Sequence, residues 1–316
     1  MPLRFCFEPT FKPTLQAFAA DAGCSLPKST AQAQAMAFKA VAALAVALCL
    51  AVPAFAQTDA DILNFALQLE CLEGEFYNYA AGNGGLTAAA RGGGPVPTGG
   101  MAANLTRDGL NLAKEIALNE LQHVMDLRMA LGSAAVPCPQ VDLGAAFATA
   151  ADAAAALANT SFSPKYSPYA NDLSFWLASY LFEDVGVSAY QGAAPLITSK
   201  AYLASAAGIL AVEAYHASLA RFIIYEYGYT PIAVNPTTTV SLYTVSGLIA
   251  QLRNALGGGD GQNVILPTGE AGIVPVDPAT SITIPRTTTQ VIKIVTAGSA
   301  TNTGLFFPNG LNGNIK

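Results

Sequence analysis

Four stretches of this 316-residue chain read as long α-helices, and helices of that length bury their apolar faces most readily against one another. The first runs from about Thr58 to Ala81, with Ile62, Phe65, Ala66, Leu69, Leu72 and Phe76 at helical spacing. It stops in a glycine-rich segment. The second covers about Leu105 to Leu131, with Thr106 as its expected N-cap and Gly132 as its stop. The third spans about Tyr169 to Ala193 before Pro195, and the fourth about Thr198 to Tyr227 before Gly228. Shorter connections flank the long one, 133–168, which holds an alanine-rich piece from Phe147 to Leu157. That pattern predicts an all-α fold of two antiparallel helix pairs joined by a crossover. A fifth helix is expected over Ser241 to Leu256, ahead of a Gly/Pro/Thr-rich tail in which Gln290 to Val295 reads as a strand or a helical turn. The expected organisation is a bundle over 57–232 and an extension packed on it over 233–316.

The N-terminal 56 residues read as a precursor. Lys39 precedes an apolar run from Ala40 to Val52, Pro53 breaks it, and Ala54-Phe55-Ala56 supplies the small residues of a cleavage site. The run would span only about 20 Å as a helix, too short for a bilayer core. Residues 36–56 are therefore expected to be a signal peptide, 1–35 a doubtful upstream extension, and the mature chain free of a transmembrane segment. Secretion, with the cell wall as one destination, follows as the expected localisation. Cys71 and Cys138 remain after cleavage, either as a disulfide or as two buried thiols. Asn104 and Asn159 lie in glycosylation sequons; Asn235, followed by Pro236, does not. With 15 Lys+Arg against 21 Asp+Glu, no basic stripe exists to neutralise phosphates, which argues against a nucleic-acid partner.

The chemistry sits at the two histidines, the only ones in the chain. Each follows a glutamate by three on a predicted helix: Glu120 with His123, and Glu213 with His216. That spacing stacks a carboxylate and an imidazole on one helix face, close enough to share a metal ion. The helices lacking histidine each carry a glutamate in an apolar setting, Glu70 and Glu183, and each is followed by a tyrosine at plus seven, Tyr77 and Tyr190. Glu73 is the second choice on the first helix, whereas Glu75 is expected to face elsewhere. Arg128 and Arg221 follow the histidines by five and read as surface or helix-end partners. Four inward carboxylates cannot stay charged in an apolar bundle without compensation. Two divalent cations would balance them, and oxygen-rich ligation with one imidazole per ion suits iron or manganese better than a closed zinc site. Tyr77 and Tyr190 are the candidate catalytic residues, with packing in the core as the plainer reading.

These residues resemble the ferritin-like superfamily, and more closely the desiccation-related proteins of plants and algae. The resemblance rests on NFALQLECLEGEFYNYAAG, the Glu120 and Glu213 helices, SGLIAQLRNALGGG and the ending GLFFPNGLNGNIK, and covers Thr58 to Lys316. It implies a ferritin-like four-helix bundle with a long connection between its second and third helices. It also implies a metal set of Glu70, Glu120, His123, Glu183, Glu213 and His216. The expected activity is that of a di-iron or di-manganese oxidoreductase acting on O2 or peroxide, or oxidising Fe(II), in desiccation or oxidative stress. The alternative is a non-catalytic protective protein of the cell wall or extracellular space, in which metals staple the bundle. Iron storage in a hollow shell is the weaker third, and a homodimer is compatible with either of the first two.

Overall fold

Each long helix begins where a polar side chain takes up an amide that the helix leaves unpaired. In the computed structural model, which describes residues 57–258 and 272–316, Thr58 and Asp61 form a reciprocal capping box at the start of α1 (Asp59–Ala80). The expected leader, 1–56, lies outside the described residues. A single turn, α2 (Ala88–Arg91), interrupts the glycine-rich connection. Thr106 caps α3 (Arg107–Leu131), which ends at Gly132 with φ 55°. The crossover contains α4 (Ala145–Ala156). Asn171 caps α5 (Asp172–Ala193) and Ser199 caps α6 (Lys200–Glu226).

Side-chain bonds fix how the helices run. Asn78 Nδ2 donates to the Ala117 carbonyl and Asn64 Nδ2 to the Ala134 carbonyl, so α1 and α3 are antiparallel neighbours. On the other side Glu183 meets His216 while Arg221 meets Asp184, pairing α5 with α6. These are the two expected pairs, and the fold is the mostly helical bundle predicted. Among the described residues there are eight α-helices and one antiparallel hairpin, β1 (Pro231–Asn235) with β2 (Thr238–Ser241). By length and composition α6 alone among them could cross a membrane, yet it carries Glu213, His216 and Arg221, all buried.

Beyond the hairpin, α7 (Leu242–Gly257) lies against α4 and α5, and α8 (Thr288–Val295) against α7 and α5. The segment that read as strand or helical turn is thus helical, held by a capping box between Thr287 and Gln290. An aromatic cluster unites the parts. The Phe147 ring lies 5.2 Å from those of Phe76 and Phe182, and the Phe306 ring lies 4.9 Å from that of Phe182. Near the end of the chain, Asn312 Nδ2 donates to the Pro137 carbonyl at 2.9 Å and Asn314 Nδ2 to Asp61 at 2.6 Å, tying the tail back to α1.

Two devices lock this arrangement. Cys71 and Cys138 are joined as a disulfide across 67 residues, which decides between the alternatives left open by the sequence. Asp184 is fully buried between two guanidiniums, 2.6 Å from Arg221 Nη2 and 2.7 Å from Arg253 Nη2, with Arg253 also stacked 4.2 Å over the Tyr180 ring. Arg221 is therefore a core residue, not the surface or helix-end partner expected; its charge is tolerated because Asp184 answers it. The Asp184 carboxyl is held below the usual carboxylate range, since Arg221 and Arg253 together outweigh the effect of burial.

Two outcomes follow. Cys71→Ser should lower unfolding stability by about 2–4 kcal/mol, read as a shifted denaturant midpoint that wild type reproduces only when reduced. Asp184→Asn should cost about 3–5 kcal/mol in the same assay, because it removes the charge that neutralises two buried guanidiniums.

Candidate metal centre

Glu70 and Glu183 point inward because they fall on the apolar stripes by which α1 and α5 pack. Glu120, His123, Glu213 and His216 occupy the facing stripes of α3 and α6. The four carboxylates are 0% exposed, and the histidines 6% and 5%. Glu120 stands between the imidazoles: its Oε1 is 3.0 Å from His216 Nδ1 and its Oε2 is 3.4 Å from His123 Nδ1. His123 Nδ1 is also 3.2 Å from Glu70 Oε2 and 3.5 Å from Glu213 Oε1, and His216 Nδ1 is 3.5 Å from Glu183 Oε2. The imidazole centroids lie 6.4 Å apart. Two donor groups result, Glu70-Glu120-His123-Glu213 and Glu120-Glu183-Glu213-His216, each with donor atoms within 4.8 Å of one another. All six residues singled out in the sequence meet in one place.

Both tyrosines are there too, and they cross over. Tyr190 on α5 donates its hydroxyl to Glu70 Oε1 at 2.5 Å, and Tyr77 on α1 donates to Glu183 Oε1. Each inward glutamate thus spends one oxygen on a tyrosine and turns the other toward an imidazole. Burial and the adjacent carboxylate charge push both phenols well above their ordinary range, so they remain protonated donors.

Five nearby residues escaped the sequence reading or were underrated. Glu73 is buried beside the cluster but outside both donor groups. Its signal was the helical step from Glu70. Gly186 occupies the corresponding step after Glu183, and a Cβ there would lie 2.1 Å from Glu213 Oε2, so the missing side chain makes room for that carboxylate. Asn119 Oδ1 is 3.1 Å from His216 Nε2. Glu75 does point elsewhere, but to a buried ion pair 2.5 Å from Arg91 Nε. Arg128 reaches back from the end of α3, its Nη2 3.3 Å from Cys138 Sγ.

The electrostatics are those of a cluster short of positive charge. Burial, then the charge of Glu120, raises Glu70 to about 7. Burial lifts Glu213 and Glu73 well above the ordinary carboxyl range, reinforced by Glu120 and by Glu183 respectively, and it also raises Glu183. Glu120 goes the other way: burial opposes its charge, but the two imidazoles beside it hold it low. Burial likewise disfavours the imidazolium forms, yet the carboxylates outweigh it and push His123 up to about 11 and His216 to about 10.

Bound protons are thus the only neutralisation the described groups supply, and hydrogen bonding stays incomplete. Both oxygens of Glu120 and of Glu213, Glu183 Oε2 and His216 Nδ1 are buried without a hydrogen bond of acceptable geometry among the described residues. Such orphaned acceptors, converging with two imidazole nitrogens, fit a metal ion, which would satisfy them and neutralise their charge.

Residues 58–226, which contain every one of these side chains, match the ferritin-like domain family. The chain belongs to that family. Among curated proteins it is 34% identical over 205 residues to a desiccation-related protein of Craterostigma plantagineum, covering 64% of this chain and 63% of that relative's length. It is 31% identical over 273 residues to a ferritin-like catalase of Nesocodon mauritianus, covering 82% of this chain and 85% of that one.

A pH dependence follows from the raised values. At neutral pH the metal-free cluster holds protons on His123 and His216 and a share on Glu70, and an entering cation must displace them. Apparent affinity for a divalent ion should therefore rise with pH and fall on acidification. Calorimetry in buffers of differing ionisation enthalpy should register proton release on binding.

Proposed function

We propose that this is a secreted dinuclear metal protein that consumes hydrogen peroxide. Glu70, Glu120, His123, Glu183, Glu213 and His216 would hold two ions of iron or manganese. The observation that carries this reading is the pair of overlapping donor groups sharing Glu120 and Glu213, in a site that supplies mostly oxygen and one imidazole per ion. Four carboxylates and two divalent ions also balance in charge. When bound, such ions supply reversible redox chemistry within reach of one small substrate. Disproportionation, 2 H2O2 → 2 H2O + O2, requires no outside reductant, which suits a site whose four carboxylates are wholly buried. The activity in the name of the Nesocodon relative favours peroxide over Fe(II) as the substrate.

The chain's own groups have definite work in this scheme. Burial of the carboxylates and imidazoles excludes bulk water and larger reductants. Tyr77 and Tyr190 keep a proton at the hydroxyl oxygen against Glu183 and Glu70, orienting each carboxylate. Gly186 leaves the space that the Glu213 carboxylate occupies. Secretion is supported by the leader-like sequence before Gln57, by the Cys71–Cys138 disulfide, and by the exposure of both sequon asparagines, Asn104 and Asn159. Removal of peroxide during drying or oxidative stress gives the protein a role in keeping with the name of the Craterostigma relative.

Purified protein loaded with iron or manganese should evolve O2 from H2O2. His123→Ala and His216→Ala should each abolish this, while Tyr190→Phe should keep the metals and lose about 10- to 100-fold in rate. A loaded protein that turns over neither peroxide nor Fe(II), yet melts far earlier after chelation, would instead identify the ions as structural staples.

A further inference from the structure

The two halves of the centre match in their six donors and differ one residue away. His216 presents Nδ1 to Glu120 and Glu183, so a ring that ligates through Nδ1 carries its proton on Nε2. Asn119, the residue before Glu120, places Oδ1 3.1 Å from that nitrogen and accepts the proton in a hydrogen bond. One turn of α3 therefore supplies both the carboxylate between the imidazoles and the lock on one of them. His123 has the same orientation, with Nδ1 toward Glu70, Glu120 and Glu213. The residue before Glu213, which corresponds to Asn119, is Val212, whose side chain has no acceptor. Among the described residues, none accepts a hydrogen bond from Nε2 of His123.

Building on the dinuclear reading above, we infer that the two ion positions differ in affinity and that Asn119 is the residue that makes them differ. The acceptor at Nε2 keeps a proton on that nitrogen when Nδ1 gives its own up to an entering cation, fixes the ring about its Cβ–Cγ bond, and makes Nδ1 a better donor. His123 must meet these requirements as the ion enters, with no side chain or backbone acceptor at Nε2 among the described residues. The position served by Glu120, Glu183, Glu213 and His216 fills first. The position served by Glu70, Glu120, Glu213 and His123 fills second and exchanges more readily. Supporting hydrogen bonds of this kind are worth about 10- to 100-fold in metal affinity, which sets the separation expected between the two steps.

Titrating the metal-free full chain with Mn(II), followed by calorimetry and electron paramagnetic resonance, tests this. Wild type should take up one ion with an isolated-ion spectrum, then a second, about 10- to 100-fold weaker, with the spectrum of a coupled pair. Asn119→Leu, close in volume and lacking an acceptor, should weaken the first step by that factor and bring the two steps together. Asn119→Asp should restore the separation, which a general loss of packing would not allow. Simultaneous uptake of both ions by wild type, or a first step unaltered in Asn119→Leu, would overturn the inference while leaving the dinuclear centre intact. Failure to bind Mn(II) at all would remove the centre itself, and this proposal with it.

Discussion

Glu70, Glu120, Glu183 and Glu213 lie wholly inside a bundle otherwise filled with alanine, leucine and aromatic rings, and Glu73 is buried beside them. Carboxylates in such a place must be protonated, paired or bound to a cation. The surrounding groups answer to that demand. Two imidazoles hold Glu120 in its charged form, two phenols each satisfy one oxygen of Glu70 and Glu183, and Gly186 yields space to Glu213. What remains unsatisfied is a convergent set of oxygens and one nitrogen, the condition under which a metal ion stabilises a fold and becomes chemically active together.

The molecule meets this constraint twice, with the same plan in each helix pair. Helix by helix the spacing recurs: Glu70 and Tyr77 match Glu183 and Tyr190, and Glu120, His123 and Arg128 match Glu213, His216 and Arg221. Where the copies diverge, different chemistry does equivalent work. The residue after Glu183 is Asp184, pinned by Arg221 and by Arg253 of α7. The residue after Glu70 is Cys71, pinned through a disulfide to Cys138, which Arg128 touches in turn. Each inward glutamate thus has a rigid neighbour in sequence, by charge on one side and by a covalent bond on the other. The crossover and the C-terminal extension provide the anchors, and Phe147 and Phe306 seal them to the bundle.

Much of this was legible along single helices. Periodicity placed the helices, and Thr106 and Gly132 bound the second of them as expected. The spacing of three between Glu120 and His123, and between Glu213 and His216, fixes a shared face because an α-helix advances 100° per residue. Contacts between helices were less visible. Arg221 looked like a surface residue because its partner, Asp184, stands on another helix, 37 positions away. Gln290 to Val295 stayed ambiguous because a six-residue apolar run satisfies either period until its neighbours are known.

The amino-acid order by itself determined the helices and the faces on which Glu120 meets His123 and Glu213 meets His216, since these depend on local geometry that repeats with every turn. Only the tertiary structure decided that Tyr77 serves Glu183 and Tyr190 serves Glu70, that Cys71 is bonded to Cys138, and that Asn119 faces His216 while Val212 stands in the matching place. Those pairings depend on how far each helix is rotated and slid against the next, and that is set by the packing of the whole core, not by any one segment.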